Sequence, residues 1–290
     1  MKLAVHANLN RQSTVNALLG LRRLAESRGV ELVGELPVVQ AIGKGSVIPA
    51  RDWAKKCDAV LVFGGDGSML HANRLLNGSA LPLVGINTGT LGFMSCSGVS
   101  GLPGVLDHLV AGDVVVERRS MICLDVPGRP DLPVRHALND IVVARGASGR
   151  TVSLELSMDG NRVTTYHCDG IIFATPTGST AYSLSAGGPI VLPSVPVVVV
   201  SVICPHSLTS RPLVLPLSST FQLAARKAST PLLVTVDGRD EAPLALGGVL
   251  RIQASPRVAQ IVRLPGHDLF SALKTKLGWG GSAVENSPTR

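Results

Sequence analysis

The segment that most constrains the fold is Ala59-Val60-Leu61-Val62-Phe63, an unbroken apolar run that passes directly into Gly64-Gly65-Asp66-Gly67-Ser68. A strand with one wet face alternates apolar and polar residues. A run apolar at every position suits a strand covered on both faces, as in the parallel sheets of α/β proteins. The neighbouring sequence keeps that pattern. Residues 3–7, 30–33 and 81–86 read as further strands, and residues 13–29, 68–76 and 102–110 as helices, with Ser13 as the N-cap and Gly29 as the stop of the first. A Pro- and Gly-containing loop is expected to join the second strand to the run at Ala59.

Beyond about Val114 the periodicity changes. Residues 119–126, 138–144, 152–158, 162–166, 170–174, 195–203, 221–225, 232–236 and 250–253 all read as short strands, and Asp159-Gly160 and Asp237-Gly238 separate neighbours as hairpin turns do. Helical pattern returns at residues 269–277, before a Gly- and Ser-containing tail that is expected to fray. The expectation is an α/β N-terminal domain with a parallel sheet, an all-β sandwich-like C-terminal domain and a short C-terminal helix. The boundaries are 1–115, 116–265 and 266–290, the last segment returning to the N-terminal domain.

Composition narrows the class. With 45% hydrophobic and 16% charged residues among 290, the chain can bury a sizeable core and is not a disordered protein. Its most apolar stretch, residues 190–204, is interrupted by Pro193, Ser194, Pro196 and Ser201 and is too short for a membrane helix. The opening MKLAVHANLN lacks a signal-peptide core, so a cytoplasmic protein without membrane partners is expected. The 27 Lys and Arg against 20 Asp and Glu leave a formal charge of +7, while aromatics make up only 3%. Scarce stacking platforms speak against nucleic acid and for small anions such as phosphates, with a merely soluble basic surface as the alternative. Five cysteines without C-x-x-C spacing write neither a disulfide framework nor a zinc site, and no other cluster has metal-ligand spacing.

The chemistry concentrates where the apolar run ends. Three glycines around one carboxylate, at the carboxyl end of a parallel strand and ahead of a helix, let backbone N–H groups approach an anion. Gly64, Gly65 and Gly67 are the candidate phosphate cradle. Leu70 stands where a dinucleotide fingerprint needs its third glycine, and the chain has no P-loop motif. Asp66 could accept the proton of an attacking hydroxyl in phosphoryl transfer. The same turn could also bind a phosphate without chemistry, or be a tight turn with Asp66 as its cap.

Gly64-Gly65-Asp66-Gly67 is the GGDG motif shared by NAD kinases, 6-phosphofructokinases and diacylglycerol or sphingosine kinases. Leu138-Asn139-Asp140, the run from Thr175-Pro176-Thr177-Gly178-Ser179-Thr180-Ala181-Tyr182-Ser183 to Pro189, Ile203-Cys204-Pro205-His206-Ser207-Leu208 and Thr275-Lys276-Leu277-Gly278-Trp279 narrow the choice. In order and spacing they resemble bacterial NAD kinases over nearly the whole chain. The resemblance implies an ATP-dependent NAD kinase that makes NADP, with Asp66 as proton acceptor for the adenosine 2′-hydroxyl and Gly67 beside it. It implies Asn139 and Asp140 on the adenosine ribose hydroxyls, and Asp169, Thr180, Ala181, Tyr182, Ser183 and Ser185 along the same pocket. His71, Arg150, His167 and Arg239 occupy further NAD-contact positions. Mg²⁺ would arrive with ATP, Asp66 being the nearest carboxylate to it, and the assembly would be a homodimer or homotetramer.

Bland readings stand beside these. Asn139 and Asp140 could form an Asx-type cap at a strand start, Asp169-Gly170 a turn, Thr177-Gly178-Ser179 a capped helix N-terminus and Tyr182 a core aromatic, while His71 could be a solvated surface residue. Thr88 stands where the family pattern suggests a larger, often cationic residue, His167 where Arg is common and Arg239 where Gln is frequent. A non-catalytic NAD- or NADP-binding sensor is the alternative, followed by a GGDG-type lipid kinase.

Overall fold

The computed structural model describes residues 1–90, 92–146, 150–240, 244–266 and 269–278. Leu91, Trp279 and the tail beyond them lie outside these residues, so the expected fraying falls outside the description. The chain divides into two compact units, Met1–Glu117 with Gln260–Arg290, and Arg118–Ala259.

The first unit is built on a parallel sheet. Its strands run Ser46–Val47, Glu31–Gly34, Lys2–Ala7, Ala59–Gly64, Leu83–Asn87 and Ser95–Gly98 in spatial order. Ala59–Gly64 and Leu83–Asn87 are buried at every position, as strands covered on both faces must be. The helices Gln12–Glu26 and Leu102–Ala111 lay Leu18, Leu21, Val105 and Leu106 into the core formed with Leu3, Leu61, Phe63 and Ile86. The last residues of the long strand Val249–Arg263 join this sheet, where Ile261 pairs with Leu83.

Three local expectations are corrected. The N-cap of Gln12–Glu26 is Arg11, without a side-chain cap. Ser13 instead donates its hydroxyl to Thr88 O at 2.8 Å, a tertiary bond that no local pattern encodes. The loop expected before Ala59 contains the helix Leu36–Ile42, with Pro37 in its first turn and Gly43 closing it at φ 75°. The helix after the glycines begins at Asp66, two residues earlier than its pattern suggests.

The second unit is a pair of antiparallel sheets. One carries the order Asn161–Cys168, Val152–Met158, Phe221–Lys227 and the start of Val249–Arg263. The other runs Leu213–Pro216, Val197–Ile203, Gly170–Ala174, Asp140–Ala144, Leu233–Val236 and Arg239–Asp240. Leu154, Leu223 and Ile252 from one sheet meet Ile141, Ile171 and Val200 from the other in a common core. There Phe173 and Phe221 lie 5.9 Å apart at a tilted angle. The two hairpin turns read from sequence hold, with Asp159 at φ 50° and Gly160 at φ 81°, and Asp237 at φ 50° and Gly238 at φ 70°. No helix of the described residues is long and apolar enough to cross a membrane.

Candidate active site

The buried strand Ala59–Gly64 ends at Gly64, whose φ of 155° and closeness to Ser68 Oγ exclude a side chain. Gly65 is the N-cap of Asp66–Leu76 and makes no side-chain cap, so the carboxylate of Asp66 sits in the first helical turn, where the dipole favours negative charge. Both its oxygens are engaged. Phe93 N–H donates to Oδ2 and Met94 N–H to Oδ1, each at 3.0 Å. A Cβ on Gly92 would fall on Oδ1, so this loop can close on the carboxylate only with glycine there.

The loop is itself held from behind. Arg263, 9% exposed, donates to Phe93 O at 2.9 Å and Ser95 O at 3.3 Å and meets Glu117 Oε2 at 3.3 Å. A Cβ on Gly85 would lie 2.9 Å from Met94 O and Ser95 Cα, so a bare backbone is what lets the loop pass this close to the sheet. Lys276, from the helix Leu269–Leu277, puts Nζ 3.8 Å from Asp66 Oδ2 and 4.3 Å from the centre of the Phe93 ring.

Gly65 and Gly67 behave differently from Gly64, since a Cβ on either would meet open space. Both border a cavity of about 510 Å³ that also takes in His6, Asn8, Arg11 and His71. His71 is exposed, as the surface reading expects, and its Nδ1 lies 3.0 Å from His6 Nε2. Burial, and secondarily the neighbouring His71, push His6 down to about 4, leaving it neutral at physiological pH. Thr88 is 7% exposed, with its hydroxyl 2.8 Å from Thr14 Oγ1. This departure from the family pattern is thus matched by a partner within the helix Gln12–Glu26.

In the second unit the Asx-type role falls to Asp237, not to Asn139 or Asp140. Its carboxylate accepts the N–H groups of Leu138, Asn139 and Asp140 at 3.0, 2.7 and 3.3 Å, tying the hairpin at Asp237-Gly238 to the start of Asp140–Ala144. The side chains of Asn139 and Asp140 are thereby spared local duty. Asn139 Oδ1 is buried without a hydrogen-bond partner. Asp140 is 6% exposed, and burial first, then the charge of Asp237, raise its carboxyl to about 7.

The run after Gly170–Ala174 is locked to the same place. Thr175 Oγ1 donates to Leu138 O and accepts Gly178 N–H at 3.1 Å, and a Cβ on Gly178 would fall on Asn139 O. Thr177 is no side-chain cap of the short turn Gly178–Thr180. Its hydroxyl takes a bond from the buried Arg119 at 3.4 Å. Ala181 follows the turn, Thr180 Oγ1 returns to Thr177 O at 3.3 Å, and buried Ser183 bonds Ser201 at 2.9 Å. Tyr182 is 47% exposed and so not a core aromatic, and Ser185 is exposed as well. His167 bonds Ser153 at 2.9 Å and lines a cavity of about 550 Å³ with His206 and Arg211. Asp169 pairs with Arg145 at 2.9 Å, while Arg150 and Arg239 are exposed.

Gly64, Gly65, Asp66, Gly67 and His71 are therefore gathered in the first unit, and Asn139, Asp140 and the Thr175–Ser185 run in the second. The local pattern marks Asp237 only as a turn residue, and Arg119 and Arg263 carry no local signal. Lys276 stands out in the sequence only as part of the stretch Thr275-Lys276-Leu277-Gly278-Trp279. Among the described residues no three His, Cys, Asp or Glu side chains gather as a metal site.

The ATP-NAD kinase N-terminal domain matches residues 49–114 and the ATP-NAD kinase C-terminal domain residues 138–264. The chain belongs to the ATP-NAD kinase family. It is 36% identical over 286 residues to an NAD kinase of Moorella thermoacetica, covering 98% of this chain and 92% of that one. An NAD kinase of Geobacter sulfurreducens is 34% identical over 280 residues, 96% of this chain and 99% of the relative. Among solved structures, yeast NADH kinase complexed with NADH superposes with a TM-score of 0.89 at 27% identity, covering 100% of this chain and 90% of that one. An NAD kinase from Archaeoglobus fulgidus in complex with ATP gives a TM-score of 0.76 at 26% identity, over 97% and 100%. The expected fold and family hold. Like its relatives, this ATP-NAD kinase family member is an enzyme that transfers phosphate.

Proposed function

We propose that this kinase transfers the terminal phosphoryl group of ATP to the 2′-hydroxyl of the adenosine ribose of NAD, giving NADP and ADP. The observation that carries the reading is Asp66, whose oxygens are aimed by the N–H groups of Phe93 and Met94 beside two glycines that leave a cavity open. The 2′-oxygen forms a bond to the terminal phosphorus as the bond to the bridging oxygen breaks. The electron pair of that bond leaves on ADP, and the hydroxyl proton passes to the Asp66 carboxylate. Mg²⁺ arriving with the donor would supply neutralisation of triphosphate charge, with Asp66 as the carboxylate nearest to it, and the amides of Gly65 and Gly67 at the start of the helix Asp66–Leu76 would receive the anion.

Asn139 and Asp140 suit the ribose diol. The unpartnered Asn139 Oδ1 is a buried acceptor waiting for a donor, and a carboxyl near neutrality can accept from or donate to a hydroxyl. The exposed face of Tyr182 offers a surface for a ring. Assembly as a homodimer or homotetramer belongs to the same reading and is checked by light scattering on the purified protein. The activity is tested by incubating that protein with NAD, Mg²⁺ and ATP and assaying NADP enzymatically, with chelator as the control. NADP formation that stops in excess chelator and returns with added Mg²⁺ is the expected result. Absence of NADP with ATP, other nucleoside triphosphates and polyphosphate would leave NAD binding without turnover, the sensor alternative.

A further inference from the structure

The chain has no P-loop lysine, yet its fold brings a lysine to the reacting carboxylate. Lys276 Nζ lies 3.8 Å from Asp66 Oδ2 and over the ring of Phe93, whose own N–H donates to that same oxygen. One ammonium thus touches both the carboxylate and the residue that aims it. The contact is half-buried, with the Lys276 side chain 31% exposed and that of Asp66 27%. The helix carrying it is seated by Leu273, which is 1% exposed, while Thr275 returns its hydroxyl to Ser271 O at 3.0 Å. The other side of the loop is closed by Arg263 on Phe93 O and Ser95 O. The segment Gly92–Ser95 is therefore gripped between a guanidinium on its carbonyls and an ammonium over its aromatic ring, with Asp66 as the object both grips serve.

We propose that Lys276 is a positioning residue for phosphoryl transfer: it holds the Asp66 carboxylate and the Phe93 loop in the geometry that accepts the 2′-hydroxyl proton. The inference rests on the kinase reading above. A cation above a ring and within Coulomb reach of a carboxylate fixes both without occupying the lone pair that the substrate needs. Its loss leaves the two backbone donors in place, so Asp66 stays in the site, but the Phe93 loop that carries those donors is then braced from the Arg263 side alone.

The test compares Lys276→Met, which keeps the aliphatic stem, and Lys276→Arg, which keeps the charge, in the full-length enzyme. Steady-state kinetics with NAD and Mg·ATP are read together with thermal melting and direct NAD binding by calorimetry. Lys276→Met is expected to lower kcat about 10²-fold, the scale set by small misplacements of reacting groups. KM for NAD, NAD affinity and melting temperature should stay near wild type, and Lys276→Arg should recover most of kcat. Wild-type kcat in Lys276→Met overturns the proposal. So does a loss that Lys276→Arg does not relieve, or one matched by a fall in melting temperature in both variants, since each describes a helix anchor instead. If the wild type makes no NADP at all, the kinase reading falls and takes this inference with it, an outcome distinct from an active wild type beside an equally active variant.

Discussion

Asp66 in the first unit and Asp140 in the second are carboxylates at the start of a helix and of a strand, yet they differ in everything that sets their chemistry. At Asp66 the nearby N–H groups point at its own oxygens, an ammonium stands close by, and the side chain keeps partial access to solvent. At Asp140 the N–H groups of the same loop are taken by Asp237, which adds a like charge to a buried site. The contrast shows that one residue type can be held by backbone donors at a partly exposed helix start, or buried beside a like charge with those donors directed elsewhere. At Asp140 what decides is burial first and the like charge of Asp237 second.

The largest expected effect breaks the comparison on the Asp66 side. Asp66→Asn keeps the shape and loses the base, so kcat should fall about 10²–10⁴-fold, the usual range for removing a general base. NAD affinity should change far less. Wild-type turnover by the folded variant would reduce Asp66 to a turn residue.

Gly92→Ala comes next, because its new Cβ would fall on Asp66 Oδ1 while every other group is retained. The carboxylate must move, and a displacement on that scale should lower kcat by about 10²-fold. A crystal structure of the variant should show Asp66 turned from the Phe93 and Met94 amides. Unchanged kinetics would mean that this geometry is not required.

Asp140 is tested through pH. Its carboxyl is raised from the usual 3.8 to about 7, so between those values the folded chain holds a proton that the unfolded chain has released. Stability must therefore fall as pH rises across that window. In Asp140→Asn the decline in melting temperature from about pH 4 to 7 should flatten, and the variant should be the more stable protein at the upper end. Identical pH slopes in the two proteins would remove Asp140 from the account.

The smallest effect sharpens the second unit. Asn139→Ala removes one acceptor or donor toward the ribose and should weaken NAD binding by about 0.5–1.5 kcal/mol. Isothermal titration measures it, and since Oδ1 has no partner in the free protein, stability should hardly change. A stability loss with intact NAD affinity would instead make Asn139 a structural residue.

Much of this was legible before any coordinates. The strand Ala59–Gly64 and the glycine turn announce themselves because burial on both faces and positive or crowded backbone angles select residues position by position. The hairpins at Asp159-Gly160 and Asp237-Gly238 are legible for the same local reason. Ser13 matches an N-cap pattern because Asn, Asp, Ser and Thr often cap helices, while its actual partner, Thr88, lies far along the chain. Asp237 was half read, since its αL backbone is a local property and the three N–H groups it accepts belong to a distant strand.

The sequence by itself determined the alternation of strands and helices, the change to short antiparallel strands, the glycine turn at Gly64-Gly65-Asp66-Gly67 and the family to which the chain belongs. Each of these is written in neighbouring residues, through period, turn conformation or motif. Only the tertiary structure decided that Phe93 and Met94 aim Asp66, that Arg263 and Lys276 brace them, and that Asp237 sets the surroundings of Asp140. Hydrogen bonds and charge act through a few ångströms of space, and folding alone determines which distant residues fall within that reach.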